Sequence, residues 1–295
     1  MLRDVGTREM PVVEKKDDGD FVESLARGLK VIRAFSTSHL AFTVSDMAAA
    51  TDLARPTARR LLLTLEQLGY VRSQDGMFLL TPRILELGMS YIGAQGMWDI
   101  ARPHLEQLVS RTKESSSMSQ LDGSDIVYTA RVSVPKIIGL TVQIGTRFPA
   151  VATSMGQVLL SELTPKELDA ALAQPSQSRV IPRIKPSRKE LNAGLAEVRQ
   201  RGWALSDERL SLGIRSIAAP VRDASGAIVA ALNVTVNAAE TPMSTLRSKH
   251  LPLLLETARA ITGDFVRVSH LPQVDVDDPK GVAAITAPPT GGRPR

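Results

Sequence analysis

Residues 55–71, "RPTARRLLLTLEQLGYV", constrain the fold more than any other stretch of the chain. Leucines recur there at the three- and four-residue spacing of a buried helix face, and Pro56 stands where a first helical turn tolerates proline. Gly69 ends the pattern as a C-terminal capping glycine, so the spacing predicts a helix over about 55–68. The polar face of this helix carries Thr57, Arg59, Arg60 and Thr64.

Two shorter helices precede this one, and a hairpin follows it. The first has Ser24 as its N-cap and an apolar stripe at Leu25, Leu29, Ile32 and Phe35. Thr43 or Ser45 caps the second, which ends at Thr51. Asp75-Gly76, flanked by apolar alternation in "YVRSQDGMFLLT", predicts a tight hairpin. Three helices followed by a hairpin are typical of a winged helix-turn-helix.

The arginine-bearing face of the third helix has two interpretations. Most such faces are solvated surfaces, because arginine is normally exposed. Here, however, a short helix and a tight turn come before it, an order that places the first turns of a helix in the major groove. We therefore predict that double-stranded operator DNA contacts six residues, with Arg60 reading a base edge and Arg55 contacting phosphate: Arg55, Thr57, Arg59, Arg60, Arg72 and Gln74. Winged helices also serve protein contacts, and that alternative stays open.

The chain changes character near residue 115, where short alternating runs replace the leucine stripes. Asp122-Gly123 and Ser225-Gly226 mark hairpin turns of an antiparallel sheet. Helical patterns lie between and after the strands, at about 155–162, 165–173, 188–201 and 243–266. The second half is therefore predicted to be an α+β domain with a central antiparallel sheet.

Residues 82–113 join the two halves and predict a helix, an interruption at Gly93 and Gly96, and a second helix carrying His104 at an ordinary amphipathic position. The first of these helices is either a plain linker or a linker that also contacts a second subunit. Residues 1–20 and 269–295 lack apolar periodicity, so we expect disordered tails.

Several classes of protein are disfavoured by what the sequence lacks. There is no cysteine, which excludes disulfides and thiolate metal sites and favours the cytoplasm. No apolar run approaches the roughly 20 residues that span a bilayer, so we expect no membrane association. We find no nucleophile elbow, no phosphate loop and no metal-ligand spacing among the four histidines. We therefore expect no enzyme activity, catalytic residue, metal or cofactor.

Polar residues interrupt the apolar sequence of the second half at a few positions: Thr153, Ser154, Asp207, Ser216, Asn233 and Thr235. Buried polar groups need hydrogen-bond partners, so these residues either line a pocket for a small polar ligand or satisfy one another across the sheet. The residues alone leave the two interpretations equal.

The chain resembles the IclR family of bacterial transcription regulators over roughly residues 21–268. The resemblance rests on "SLARGLKVIRAF", "FTVSDMAAATDLARPTARRLLLTLEQLGYV", "LTPRILELG", "ARPHLEQL", "VATSMGQVLL" and "RGWALSDERLSLGIRSIAAPVRDASGAIVAALNV". The "TSMGQVLL", "LGIRSIAAPV" and "ALNVTV" segments look like the branch that controls aromatic acid catabolism, including the protocatechuate, 4-hydroxybenzoate and β-ketoadipate regulators. The resemblance implies three parts: a winged helix-turn-helix over 21–82, a linker helix over 83–96 and a GAF-like effector-binding domain over 97–268.

The resemblance also implies a function. It implies a homodimer or dimer of dimers on palindromic promoter DNA, which responds to a small carboxylate such as an aromatic acid or β-ketoadipate. The matching positions for the effector are Ser154, Met155, Gly156, Asp207, Ser216, Asn233 and Thr235, with Arg131, Arg147 and Arg215 as candidate carboxylate partners. Two alternatives are an effector-independent regulator whose C-terminal domain only oligomerises and, more remotely, an enzyme fused to a DNA-binding domain.

Overall fold

The computed structural model describes residues 21–36, 39–88, 97–135 and 142–269. These residues form two compact units, one up to residue 88 and one from residue 97. Both predicted tails, apart from Ser269, and most of the predicted linker helix lie outside the described residues. None of the described helices combines the length and the apolar composition needed to span a bilayer.

The described residues of the first unit form three α-helices, a small antiparallel sheet and a 3-10 turn over Pro82–Leu85. The helices are α1 (Glu23–Ala34), α2 (Val44–Thr51) and α3 (Arg55–Gln67), and the strands are β1 (Ala41–Phe42), β2 (Val71–Gln74) and β3 (Met77–Leu80), in the order β1-β3-β2. Asp75 and Gly76 join β2 to β3 with φ values of 51° and 77°. Two successive positive φ angles match the twist of a two-residue hairpin, as the Asp-Gly pair predicts.

The core of this unit lies between the helices and the hairpin. It is built from Val31, Phe35, Phe42, Met47, Ala48, Ala58, Leu62, Leu65, Val71 and Phe78. The predicted face of α1 is wrong in its first half, because Leu25 and Leu29 are exposed and only the C-terminal half of the helix packs. Ser24 lies inside the first turn, and Val22 occupies the N-cap position. The apolar spacing of α3 also predicts that Leu68 is buried together with Ala58, Leu61, Leu62 and Leu65, but Leu68 is exposed.

The second unit is built around a six-stranded antiparallel sheet. The strands are β4 (Ser115–Asp122), β5 (Asp125–Val132), β6 (Arg147–Pro149), β7 (Ala204–Asp207), β8 (Ile214–Arg222) and β9 (Ile228–Asn237), in the order β6-β5-β4-β9-β8-β7. The helices are α4 (Met97–Thr112), α5 (Ser154–Ser161), α6 (Pro165–Ala173), α7 (Arg188–Arg201) and α8 (Leu251–Ser269), the last preceded by the turns Met243–Thr245 and Leu246–His250.

Helices cover both faces of this sheet. On one face, α4 and α8 pack against alternate residues of β8 and β9, such as Ile217, Leu232 and Val234. On the other, α5 and α7 pack against the intervening residues, such as Ala218 and Ala231. Alternation along each strand supplies two apolar faces, as expected for a covered sheet. The structure confirms the predicted α+β class, with an N-terminal winged helix-turn-helix and a central antiparallel sheet in the second unit.

Candidate functional site

The exposed face of α3 gathers the residues that the sequence assigns to DNA. Arg55, Arg59 and Arg60 are exposed in its first two turns, and Thr57 is half-buried beside them. Ala58, Leu62 and Leu65 occupy the opposite, buried face. The structure thus brings one threonine and three guanidinium groups together where a helix can present them to a polyanion.

Hydrogen bonds fix the hairpin relative to α3. The Glu66 carboxylate on α3 accepts the backbone N–H of Ser73 at 2.9 Å and also the Ser73 hydroxyl. Within the hairpin, Arg72 Nη1 donates to Gln74 Oε1 at 2.7 Å, so these two predicted contacts lie side by side. The sequence analysis did not identify Glu66, whose helical position resembles any solvated glutamate.

A second set of contacts holds the C-terminal end of α3. Thr81 Oγ1 donates to the Gly69 carbonyl at 2.5 Å, and Arg83 Nη1 donates to the Leu68 carbonyl at 3.0 Å. The Arg83 guanidinium also lies 5.4 Å from the centroid of the Tyr70 ring. These donors satisfy carbonyls that the end of a helix leaves without partners. We call Thr81, Arg83 and the carbonyls that they hold the α3 clasp.

We expect Glu66→Ala to weaken operator binding about 3–10-fold, because the wing loses its fixed position beside α3 and two hydrogen bonds with it. The measurement is fluorescence anisotropy with an operator fragment selected in vitro from random duplexes. Glu66→Gln is the matched control, since it keeps an acceptor oxygen but removes the charge. Tighter binding by both variants would contradict this role and show that Glu66 acts by repelling phosphate.

The second unit contains a cavity between the sheet and the start of α5. Its open volume is about 540 Å³, a figure that includes the solvent at its mouth. Its apolar lining is Tyr128, Val142, Phe148, Ala152, Leu210 and Ile214, and its polar lining is Arg131, Thr153, Ser154, Ser206, Ser216, Asn233 and Thr235. Tyr128 and Phe148 form an edge-to-face pair with centroids 5.5 Å apart.

Strand register places the polar lining in rows. Ser206, Ser216, Thr235 and Ser115 lie opposite one another across β7, β8, β9 and β4. The adjacent row on the same face of the sheet contains Asn233, Ser117 and Arg131. Because side chains alternate between faces, residues two apart in each strand point towards the same cavity.

Most of these polar groups bond to one another or to backbone. Asn233 donates to Thr235 Oγ1 at 3.0 Å, and its side-chain carbonyl accepts the Ser117 N–H at 2.9 Å. Ser206 Oγ donates to the Ala152 carbonyl at 3.0 Å, and the hydroxyls of Ser154 and Ser216 lie 2.8 Å apart. Apart from Asp207, the interrupting polar residues therefore bond to one another or to backbone and also line a cavity.

The structure separates the seven predicted effector residues into two groups. Ser154, Ser216, Asn233 and Thr235 line the cavity, whereas Met155, Gly156 and Asp207 do not. Met155 is buried in the core, where Ser119 Oγ approaches its sulfur at 3.3 Å. Gly156 lies against the Ala150 backbone.

Asp207 faces away from the cavity because it follows Ser206 in β7, and successive residues of a strand point to opposite faces. Its carboxylate accepts a hydrogen bond from Arg215 Nε at 2.7 Å. Ser206 is the polar lining residue that the sequence analysis missed, together with the six apolar lining residues. Alternation along β7 is compatible with either Ser206 or Asp207 facing the cavity, and only the pairing of Ser206 with Ser216 decides between them.

The three candidate arginines have different surroundings. Arg147 pairs with Asp122 and lies 3.8 Å from Asp125, and Arg215 pairs with Asp207. Arg131 lines the cavity, donates to Ser117 Oγ at 3.0 Å, and forms no ion pair with any carboxylate of the described ranges. Burial lowers the pKa of Arg131 from its usual value and raises that of Tyr128 to about 12.

Comparison with known proteins identifies both units. Residues 24–75 match the IclR helix-turn-helix domain, and residues 89–263 match the C-terminal domain of the bacterial transcriptional regulator IclR. The Pca regulon regulatory protein of Pseudomonas putida is 36% identical over 82% of this chain and 84% of its own length.

Solved structures share the fold. A protein of Rhodococcus sp. RHA1, assigned as a transcriptional regulator, has a TM-score of 0.73 and 49% identity over 84% of this chain and 100% of its own. The inducer-binding domain of the PobR transcription factor from Acinetobacter, solved as a double mutant with 3-hydroxybenzoic acid, has a TM-score of 0.50 and 31% identity over 56% of this chain and 96% of its own. The chain therefore belongs to the IclR family of bacterial transcriptional regulators, and it is a DNA-binding regulator rather than an enzyme.

Proposed function

We propose that this regulator binds palindromic promoter DNA as a homodimer or dimer of dimers in the cytoplasm and controls catabolic genes in response to a small aromatic acid. The observation that carries the proposal is the cavity of the second unit, where polar residues surround an arginine that has no acidic partner among the described residues. In the first unit, the exposed face of α3 supplies the DNA contacts through Arg55, Thr57, Arg59 and Arg60.

Each of the two units has its own role in this proposal. Residues 21–82 bind DNA, residues 97–268 bind the effector, and the segment 83–96 links the two units. In a dimer, the two recognition helices must lie about one helical turn of DNA apart to enter successive major grooves. A ligand whose binding changes this spacing alters operator affinity. A coupling free energy of only about 1–3 kcal/mol between ligand and DNA binding changes that affinity roughly 5–150-fold.

The acid class rests on the relatives together with the cavity. The solved Acinetobacter domain contains 3-hydroxybenzoic acid, and the cavity of this chain combines an aromatic wall with a cationic side chain. The carboxylate of such an acid would bind the guanidinium, and its ring would pack against Tyr128 and Phe148.

A thermal-shift screen tests the proposal. We expect 3-hydroxybenzoate, 4-hydroxybenzoate or protocatechuate to raise the melting temperature of the full chain, because a ligand that binds only the folded state stabilises it. The same acid should alter the mobility of the protein–operator complex. An unchanged melting temperature and mobility with all three would favour a regulator whose second unit only oligomerises.

Two substitutions on neighbouring strands separate a cavity residue from an outward one. We expect Ser216→Leu to abolish the thermal shift by filling the cavity, and Asp207→Ala to retain it, because the Asp207 side chain pairs with Arg215 outside the cavity. Both variants should bind operator as the parent protein does. Loss of the shift in Asp207→Ala with retention in Ser216→Leu would place the ligand elsewhere.

A further inference from the structure

We propose that the outer edge of strand β7 binds an extended, acidic segment of a partner protein, which adds to the six-stranded sheet as a further strand. This interaction is separate from the binding of DNA and of the effector. It rests on the direction of the β7 backbone groups and on two arginines at one end of the strand.

Strand β7 lies at one end of the described sheet, so its pairing with β8 uses only one side of its backbone. Opposite residues in an antiparallel ladder alternate between bonded and non-bonded pairs. The Glu208 N–H donates to the Ile214 carbonyl at 2.9 Å, so this pair is a bonded one. Counting back along β7, Ser206 also bonds to β8, whereas Leu205 and Asp207 direct their N–H and carbonyl groups outwards.

Two neighbouring contacts agree with this direction. The Trp203 carbonyl accepts a hydrogen bond from Arg201 Nε at 2.6 Å, and the Arg209 carbonyl accepts the Ile184 N–H at 2.9 Å. Both carbonyls belong to residues an even number of positions from Leu205, and both bond to groups outside the ladder with β8. Between these two contacts, the outward backbone groups of β7 have no protein partner within the described residues. An edge of this kind is a template for another strand.

The side chains at one end of this edge are aromatic and cationic. Trp203 and Leu205 lie on the same face of β7 and are half-buried against the core beneath α4 and α8. The Arg201 guanidinium lies 4.2 Å from the centroid of the Trp203 ring. Burial and the positive charge of Arg247 lower the pKa of Arg201, whereas Glu197 raises it. The guanidinium groups of Arg201 and Arg247 therefore lie within electrostatic reach of each other.

This charge selects an acidic partner. Within the described ranges, neither Arg201 nor Arg247 forms an ion pair, and both are exposed. A carboxylate that reaches them relieves their mutual repulsion and forms charge-assisted hydrogen bonds. Backbone hydrogen bonds would supply the affinity of an added strand, and its side chains the choice of partner.

A second copy of the chain fits this edge less well. If two β7 edges paired antiparallel about a twofold axis, the arginines at the two ends of the edge, Arg201 and Arg209, would lie opposite or diagonal to one another. Like charges in those positions destabilise a strand pair. An extended segment of apolar residues with aspartate or glutamate beside the Trp203 end has no such conflict.

Trp203 provides the reporter for a binding experiment, because the chain contains only two tryptophans. Trp98→Phe leaves Trp203 as the sole tryptophan of the full-length protein. The probe is the synthetic peptide acetyl-Thr-Val-Asp-Val-Asp-Val-Thr-amide, which we expect to change the Trp203 emission in a saturable manner. A peptide with asparagine in place of aspartate, and one with methylated backbone nitrogens, should each bind about 2–10-fold more weakly.

Variants in the Trp98→Phe background assign the binding to the edge. Asp207→Pro and Asp207→Ala both lose the carboxylate that pairs with Arg215, but only proline removes the outward N–H, which an edge strand tolerates. We expect Asp207→Pro to bind the peptide about 2–10-fold more weakly than Asp207→Ala. Arg247→Gln should abolish the preference for aspartate over asparagine, whereas Arg102→Gln, at an exposed position of α4, should keep it. Thermal melting of each variant establishes that it folds.

Three results would overturn the proposal. One is an unchanged Trp203 emission at millimolar peptide. Another is equal binding of the aspartate, asparagine and methylated peptides, which would show that they adhere to the Trp203 ring without forming a strand. The third is a lower oligomeric state of Asp207→Pro than of Asp207→Ala in sedimentation equilibrium, which would show that the edge binds a second copy of the chain.

Discussion

The Gly156→Ala variant is expected to melt about 6–12 °C below the parent protein, which corresponds to a loss of about 3 kcal/mol in the stability of the second unit. A methyl group at Gly156 would lie 2.5 Å from the carbonyl carbon of Ala150 and nearer still to its oxygen. No side-chain rotation relieves such a contact, because the opposing atoms are backbone. Helix α5 would have to move away from the turn that precedes it.

The expected loss of stability is large because α5 is packed on all sides. All eight of its residues are buried, and the helix packs against β4, β8, β9 and α7. A shift of α5 would therefore disturb the core on that face of the sheet, where Met155, Val158 and Leu160 are almost completely buried. Interiors at crystal-like density do not absorb a displacement of this kind without loss of contacts.

Gly194→Ala is the matched control in α7, where an added methyl group meets no atom within 4 Å. We expect it to leave the melting temperature unchanged or to raise it slightly, since alanine favours a helix by about 0.5–1 kcal/mol over glycine. Calorimetry of both variants measures the difference. Equal melting temperatures would show that α5 does not lie as close to Ala150 as described.

The second large effect is expected for Arg60→Ala, which should weaken binding to a selected operator about 5–150-fold per half-site. Arg60 is exposed and lies nearly opposite the buried stripe of α3, so its guanidinium is the best placed to reach a base edge. Losing a contact of this kind also relaxes the preference for one base pair, which binding-site selection with the variant would reveal.

Arg55→Ala provides the comparison, because we expect Arg55 to contact phosphate instead. That variant should weaken binding to all sequences alike and reduce the slope of log affinity against log salt by about one. Arg102→Ala is the neutral control, since Arg102 is an exposed arginine of the second unit that pairs with Glu106 on its own helix. If Arg60→Ala binds operator as Arg102→Ala does, the recognition face has been misplaced.

Local signals account for the parts of the fold that the sequence predicts well. Helix α6 begins at Pro165 with a reciprocal cap between Thr164 and Glu167, and α7 begins with the same arrangement between Ser187 and Glu190. Such a cap depends only on residues within one stretch of four, so the sequence predicts the start of each of these helices closely. The β4–β5 and β8–β9 hairpins of the large sheet are equally local, because Gly123 and Gly226 take the positive φ angles that their turns require.

The parts that sequence analysis missed depend on residues far apart in the chain. The exposure of Leu25 and Leu29 depends on which half of α1 other elements cover, and periodicity alone contains no such information. The family resemblance assigns Asp207 to the effector site, whereas the pairing of β7 with β8 places Ser206 in the cavity, and a slip of one residue reverses the face. The packing of Gly156 on Ala150 arises only once α5 is placed on the sheet.

The α3 clasp limits how this protein can be re-engineered to read other promoters. Exchanging only the exposed side chains of α3 keeps the Leu68 and Gly69 carbonyls bonded to Arg83 and Thr81. Grafting the helix alone into another scaffold would leave those carbonyls without their hydrogen-bond donors and the Tyr70 ring without the Arg83 guanidinium beside it. A graft that keeps these contacts therefore extends over residues 55–83, and it also needs the α1 and α2 side chains that pack with Ala58, Leu62 and Leu65.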